Sequence, residues 1–462
     1  MIKKLPIFLL LIVLVGTQNL YAQEQQDEYL VVRSVSFVGN KITKEFVIRR
    51  EMNLQEGDSI LVSELEDLVE FNRLRILNSQ LFVNASARIY NQTATNVDIE
   101  YTLKELFYWN AHPFVSLADR NFNVWYYDFD HKLNRLNIGA DINRKNFRGR
   151  GEEIGIEGQV GFNKHLYLYY SNPYIDKSLK NGIKASIAYN TGKEIHSETD
   201  SNRQVFYRDE SMNPYRWLRA EFSYLFRPDY AATHELRFAF HHYDLSHQMM
   251  IDMPNYLGGR QNMSIPEIMY RYRYNNTDDR NYPMKGWEID AYADQKGWGL
   301  VNDFNQWQVY LHLANYQPIY RNLSTAIHFR GRLFGPDNQP YFNYRAMGFK
   351  NDFVRGFEYY IIDGSHYGLL RTDLRQKIFH YDFQQNIIPI VKYVPIDIYA
   401  KTYLDGGYVY SNNFGNSFLN NKMLYGYGVG VDIVFSYYLK ARIEYSFNSL
   451  REKGLFLNFR NE

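Results

Sequence analysis

The sequence predicts a mainly β fold, a sixteen-stranded antiparallel transmembrane β-barrel behind one small α+β domain. Three observations lead there. The 462 residues include 42 Tyr, 31 Phe and 6 Trp, 17% aromatic in all, yet mean hydropathy is only −0.47. A helical membrane protein is far less polar and a soluble protein is seldom so aromatic. Barrels combine the two, because half of each strand faces lipid, half faces the lumen, and aromatic girdles mark both interfaces. Next, Lys3 and Lys4 precede an apolar run from Leu5 to Val15, and Leu20-Tyr21-Ala22 leads into an acidic stretch. Residues 1–22 therefore read as a secretory signal peptide cleaved after Ala22. The run is shorter than the roughly 20 residues of a spanning helix, and no comparable run follows. An exported chain with no such helix reaches a membrane only as a closed barrel. Last, polar and apolar residues alternate from Phe107 to the C-terminus. On composition alone, an aromatic-rich soluble β-protein that binds carbohydrate fits as well.

Residues 28–106 form a separate unit. Tyr29 to Phe37 reads as a strand, and Gly39-Asn40 is a turn signal. Thr43 is placed to cap a helix running through Met52, with Leu54 to Asp58 as the loop behind it. Ser63 opens a second helix whose Leu65, Leu68, Phe71, Leu74 and Leu77 recur at helical spacing. Two further strands follow, Leu81 to Tyr90 and Val97 to Leu103. The expected product is three strands with two helices on one face, its core drawn from Val35, Phe37, Leu65, Leu68, Phe71, Leu81 and Phe82.

Residues 107–462 change to period two. In Leu439 to Phe447 the odd positions are apolar, and from Ile396 to Asp405 the even ones are. Trp287 to Ala291 and Trp307 to Leu313 alternate likewise, as strands do with one face wet and the other in lipid or a core. A soluble sandwich shows the same pattern, so extent decides. About 350 residues divided among sixteen strands leave roughly 22 per strand and turn, enough for about 10 to cross a bilayer.

The chemistry-bearing residues are scattered. His241 and His242 are adjacent on a strand and point to opposite faces, so a shared metal is not expected. No zinc-protease helix, nucleophile elbow or phosphate loop is present, and the chain is expected to be no enzyme and to need no cofactor. Lumenal Glu288, Asp290 and Glu444 could mimic an acid–base pair, but such charges are usually just solvated. The Tyr-rich stretches are better explained as girdle and lumen filling than as a sugar platform. Cys is absent, which excludes disulfides, Cys/His zinc sites, thiol chemistry and a lipidated N-terminal Cys. The formal charge of +1 does not favour nucleic acid.

The most informative tetrapeptide is Val354-Arg355-Gly356-Phe357. An arginine among apolar residues and a glycine makes a poor surface loop. Its charge is costly to bury alone, which suggests a loop folded against acidic groups inside something hollow. A solvated hairpin tip is the plain alternative. Parity along the strands from Leu369 and Ile396 turns Arg371, Asp373, Arg375, Asp397, Tyr399, Lys401, Tyr403 and Asp405 inward, so Asp373 and Asp405 are the candidate partners of Arg355.

Other segments fall in a telling order. Asn146 to Gly151 carries an Asn-x-x-Gly-x-Gly turn, and Asn172-Pro173-Tyr174 closes the next strand. Asp278 to Gly286 holds Asp-x-Arg with Pro-x-x-Gly, Asp405 to Tyr410 is a late strand end, and Gly426 to Gly430 is a glycine-rich hairpin. The final strand shows Leu455, Leu457 and Phe459 in alternation. Together with Val354 to Phe357 this series resembles the BamA/TamA superfamily of outer-membrane assembly barrels, and the unit around Gly39-Asn40 resembles a POTRA domain. Two departures stand out: Arg460 to Glu462 follow Phe459, and Met347-Gly348-Phe349 stands where a Gly-Gly pair is common.

The resemblance implies an outer-membrane location with the POTRA domain in the periplasm. It implies insertion of unfolded client proteins through a seam between first and last strands, with outer-membrane lipid and accessory periplasmic or lipoprotein subunits as partners. It also implies that Leu455, Leu457 and Phe459 form the C-terminal insertion signal, and that a Glu is commonly the first acidic partner of the loop arginine, so Asp373 is expected to reach less well. A secretion pore is one alternative; a plain porin or adhesin barrel with a partner-binding domain is another.

Overall fold

The computed structural model describes residues 28–119, 122–209, 212–299, 304–349, 351–384, 393–412, 415–435 and 440–459. The expected signal peptide, 1–22, lies outside them.

The N-terminal unit comprises β1 (Tyr29–Val38), α1 (Glu45–Arg50), β2 (Ser59–Leu61), α2 (Leu65–Asn78), β3 (Phe82–Tyr90) and β4 (Asn96–Glu105). Its sheet runs β2-β1-β4-β3, with β1 parallel to β4. The short β2 falls just after the expected loop and adds a fourth strand, because Ser59 to Leu61 pairs with Val31 to Tyr29. Leu30, Val32, Val35, Val47, Ile48, Leu65, Val69, Ile76, Ile99 and Tyr101 fill the core. Gly39 turns with φ +97°, and a Cβ there would strike the Leu103 carbonyl.

Two expectations need correcting. Phe71 is 40% exposed, because the buried stripe of α2 passes through Leu65, Val69, Asn72 and Ile76. Asn72 sits inside because its amide is satisfied, accepting from Asn53 N at 2.9 Å and donating to Leu68 O at 2.8 Å. Phe71 turns instead toward Tyr230 on the barrel. Nor does Thr43 cap α1, which begins beyond Lys44 with no side-chain cap. The Thr43 hydroxyl donates to Glu105 at 2.6 Å and accepts from the Asn146 amide at 2.8 Å, tying the domain to the barrel.

The second unit opens with β5 (Trp109–Leu117), α3 (Phe122–Tyr127), β6 (Leu136–Phe147), β7 (Glu152–Gly161), β8 (Asn163–Asn172) and β9 (Asn181–Gly192). A side hairpin, β10 (Glu194–Asp200) and β11 (Arg203–Arg208), precedes β12 (Tyr215–Phe226) and β13 (Ala232–Leu245). After α4 (His247–Asp252) come β14 (Asn262–Asn275), β15 (Gly286–Lys296), β16 (Gln306–Tyr320) and β17 (Leu323–Gly335). Two short strands, β18 (Arg345–Met347) and β19 (Ile362–Asp363), flank the Arg355 loop. The chain ends with β20 (His366–Gln384), β21 (Tyr393–Tyr410), β22 (Met423–Phe435), β23 (Lys440–Asn448) and β24 (Lys453–Phe459).

Leaving out β10–β11 and β18–β19, these strands form one sixteen-stranded antiparallel sheet in chain order from β5 to β24. Its outer face is apolar and exposed: Ile142, Ile156, Leu168, Phe222, Phe238, Trp287, Val309 and Ile443 all project outward. The inner face buries charge, including Glu235, Glu267, Arg375, Lys401, Asp405 and Glu444. Period two thus separates lipid from lumen, inverting the polarity of a soluble core. The N-terminal domain abuts one mouth of the barrel, and α3, β10–β11 and the loops near α4 cover the other, distal mouth.

Candidate functional site

The loop between β18 and β19 folds back into the lumen. Val354 and Phe357 are 2% exposed and pack with Met347, Leu369, Val409 and Leu424. Phe357 N donates to Val354 O at 3.0 Å, closing a tight turn in which Gly356 takes φ +93°. Met347, the residue standing in for the usual glycine, fills the apolar pocket beside Val354. Opposite the turn lies Gly426, where any Cβ would collide with the Arg355 carbonyl. Gly426 to Gly430, expected as a hairpin, lie inside the continuous strand β22, which forms the floor that admits the loop.

Arg355 occupies the centre. Its Nε and Nη2 donate to the two Asp405 oxygens at 2.8 and 2.5 Å, and its backbone N adds a third bond at 3.0 Å. Nη1 reaches Asp373 Oδ1 at 2.6 Å, so the shorter carboxylate makes full contact after all. Glu444 stands 3.6 Å away and the Tyr403 ring lies 3.9 Å beneath the guanidinium. A planar fork suits this arrangement: two donors engage one carboxylate side-on while a third serves another.

The cluster extends beyond the pair that parity indicated. Lys401 Nζ lies 2.7 Å from both Asp432 and Glu444, and Arg371 donates to Phe353 O while standing 3.7 Å from Asp405. Tyr282, from the Asp278 to Gly286 hairpin, enters the lumen, stacks on Tyr399 at 4.0 Å and donates to Asp432 at 2.8 Å. Sequence reasoning missed Asp432 and Tyr282. The parity of Val429, Val431 and Ile433 would have turned Asp432 inward, whereas nothing local marks Tyr282. Glu444 and Asp290 serve as ion partners, Asp290 to Arg271 at 2.6 Å.

The barrel's free edges are the second feature. Among the described residues no ladder joins β5 to β24. Leu455 and Leu457 lie in β24, Leu455 pointing outward at 55% exposure, and Phe459 pairs across to Ala441. On α3, buried Asn123 donates from Nδ2 to Leu455 O at 3.1 Å and to the Tyr359 hydroxyl at 3.2 Å. Tyr359 in turn packs against Phe456 with ring centroids 5.6 Å apart. One side-chain amide therefore links the last strand to the lumen loop.

Motifs at the other mouth hold the N-terminal domain. Asn146 accepts from Gly151 N at 2.8 Å, which shapes the turn whose Gly149 carbonyl accepts from Lys44 N at 2.9 Å. Tyr174 donates to Glu51 at 3.0 Å, and Arg227 spans both Glu51 oxygens at 3.1 and 3.3 Å. Burial alone would raise the Glu51 carboxyl, yet Arg227 and Tyr174 hold it below the usual carboxylate range. Arg50 donates to the carbonyls of Leu179, Arg227 and Asp229, and Arg75 lies 3.1 Å over the Tyr230 ring. Gly39-Asn40 stands beside this contact, Asn40 donating to Thr43 O at 3.2 Å.

These features coincide with known families. Residues 146–453 match the Omp85 superfamily domain, two thirds of the chain. The chain belongs to the Omp85 superfamily. Residues 30–106 match the POTRA family, described as a surface antigen variable number repeat. Among solved structures, this Omp85 protein is similar to BamA from Haemophilus ducreyi lacking POTRA domains 1–3, with a TM-score of 0.54 and 15% identity over 93% of this chain and 83% of that one. It is also similar to CdiB from Escherichia coli, with a TM-score of 0.51 and 11% identity over 93% and 75%. Membership and fold make it a Gram-negative outer-membrane protein with one POTRA domain, acting in membrane-protein insertion or secretion.

Proposed function

We propose that this protein inserts client β-barrel proteins into the outer membrane by a physical, non-catalytic route. The POTRA domain faces the periplasm and receives unfolded clients, and their strands leave through the seam. The observation that carries the reading is a sheet with two free ends: among the described residues β5 and β24 each have a neighbour on one side only and offer backbone groups to a client strand, while every other barrel strand has two neighbours in the sheet. A backbone edge accepts any extended chain without demanding a sequence, as client diversity requires. Strand β3, at the outer edge of the POTRA sheet, offers a second such surface for capture. Insertion is favoured over passage through the lumen because the Arg355 loop and its ion cluster fill the middle of that route.

Depleting the protein and measuring the outer-membrane proteome tests the proposal. Loss of several barrel proteins is the expected result. Loss of a single exported protein would favour a secretion pore, and an unchanged proteome would favour a porin or adhesin.

A further inference from the structure

Strands β20 and β21 are too long for the membrane they cross. At ~3.3 Å per residue, the 19 residues of β20 extend about 60 Å, roughly twice the hydrocarbon core. Its neighbour β17 stops at Leu323, opposite Gln376, and the last bond between the two is Lys377 N to Asn322 O at 3.1 Å. Beyond that point β20 continues to Gln384, paired only with β21 among the described residues. The turn at Asn322 lies at the POTRA side of the barrel, so the overhang projects there by ~20 Å.

This ribbon keeps two distinct faces. Phe379 and Tyr381 stack with centroids 6.3 Å apart and lie opposite Ile398 and Ile396 in the ladder. On the other face Asp397 takes Lys377 at 2.7 Å and His380 at 2.6 Å. The apolar face continues the lipid-facing row of Leu370 and Leu374, yet Ile378, Phe379 and Tyr381 remain 57%, 49% and 54% exposed. Proteins normally blunt such an edge with proline, inward charges or a covering element. Residues 378–384 contain no proline and no strand covers their outer side among the described residues; their charge is confined to His380 and Asp382, on the face away from the apolar row.

We infer that the overhang of β20 is a strand-docking edge for an extended polypeptide with one apolar face, which, under the proposed function, is a client strand. A transmembrane β-strand has that pattern. Docked antiparallel to β20, it would satisfy its backbone against the free edge while its apolar side chains lined up with Phe379 and Tyr381. Those rings lead directly onto the barrel's lipid-facing wall. Lipid headgroups offer no regularly spaced ladder of donors and acceptors, and a soluble partner would not need the apolar row to run on into the membrane surface.

A photoreactive amino acid placed at Phe379, His380 or Tyr381, with a second set of variants labelled at Leu457 by the seam, tests the inference in cells expressing an outer-membrane barrel client. Crosslinks to the client are expected at both places. The double substitution Phe379→Lys/Tyr381→Lys is expected to cut crosslinking at His380 at least fivefold and to slow client assembly severalfold, while the barrel stays heat-modifiable. Client crosslinks at the seam alone would overturn the inference and leave the proposed function standing, as would overhang crosslinks only to lipid, to a second copy or to another subunit. An absence of client crosslinks at both places, with an unchanged outer-membrane proteome on depletion, would overturn the function itself.

Discussion

The wall at β20 and β21 and the gap between β5 and β24 are opposite extremes of one sheet. The wall carries the longest ladder, from His366 opposite Tyr410 to Gln384 opposite Tyr393, and Asp373 and Asp405, which hold Arg355, lie on it. The gap has no ladder among the described residues and is bridged from α3 by the Asn123 amide. The difference separates what the barrel keeps fixed from what it leaves negotiable. The Arg355 cluster is buried where backbone pairing is most extended, and a desolvated ion cluster tolerates little drift in its partners. Under the proposed function the seam opens, and there the contacts that Asn123 makes are neutral.

The largest expected effect breaks the rigid side. Arg355→Ala leaves Asp373 and Asp405 buried without their shared cation and costs about 3 kcal/mol locally, enough to release the loop. Client assembly should fall more than tenfold while heat-modifiability is retained, and hydrogen exchange should rise across residues 353–361. Arg355→Lys should restore little, because one ammonium cannot replace the fork.

Gly426→Ala approaches the same loop from its floor. The added methyl meets the Arg355 carbonyl, which is backbone and cannot swing aside, so a cost of about 2 kcal/mol is expected. Exchange should rise in the loop but not in β20 or β21. Equal rises in both would mean that loop and wall are one cooperative unit.

Glu51 sharpens the comparison at the POTRA junction, where docking is also ionic. Its docked carboxyl sits below the usual range, so its contribution is complete above about pH 4.3 and is lost as pH falls through the lower docked value. The exchange rate of residues 45–51, relative to the intrinsic rate at each pH, should therefore be steady at neutral pH and rise on acidification. In Glu51→Gln that acid-dependent rise should be much reduced.

The smallest effect tests the seam. Asn123→Ala removes two neutral hydrogen bonds, each worth about 1 kcal/mol. Exchange in residues 453–459 should increase while residues 353–361 change little. Protection of β24 that is indifferent to Asn123 would mean that α3 merely rests on the seam.

Much of this organisation is legible in the chain. Alternation identifies the faces of the strands, and parity alone turns Asp373 and Asp405 toward a common interior. What alternation does not report is depth. The overhang of β20 keeps the same two-faced pattern after its neighbour has ended, so the sequence from Phe379 to Asp382 looks like any strand in lipid. Local pattern also misjudged Phe71, since a leucine-like spacing cannot foresee that Asn72 finds partners inside and takes the buried stripe. The links made by Asn123 and Tyr282 join segments hundreds or scores of positions apart, and neither residue type advertises its partner.

The unlatched ends of the sheet have a mechanical consequence. In a closed barrel, strand number and stagger set the diameter, and widening means breaking a full ladder. Here, among the described residues, no ladder closes the circumference, so the cylinder is a split ring and not a hoop. A hoop under outward load must snap at its weakest joint. A split ring flexes along its whole arc, spreading the strain over many small changes in twist while every existing ladder survives.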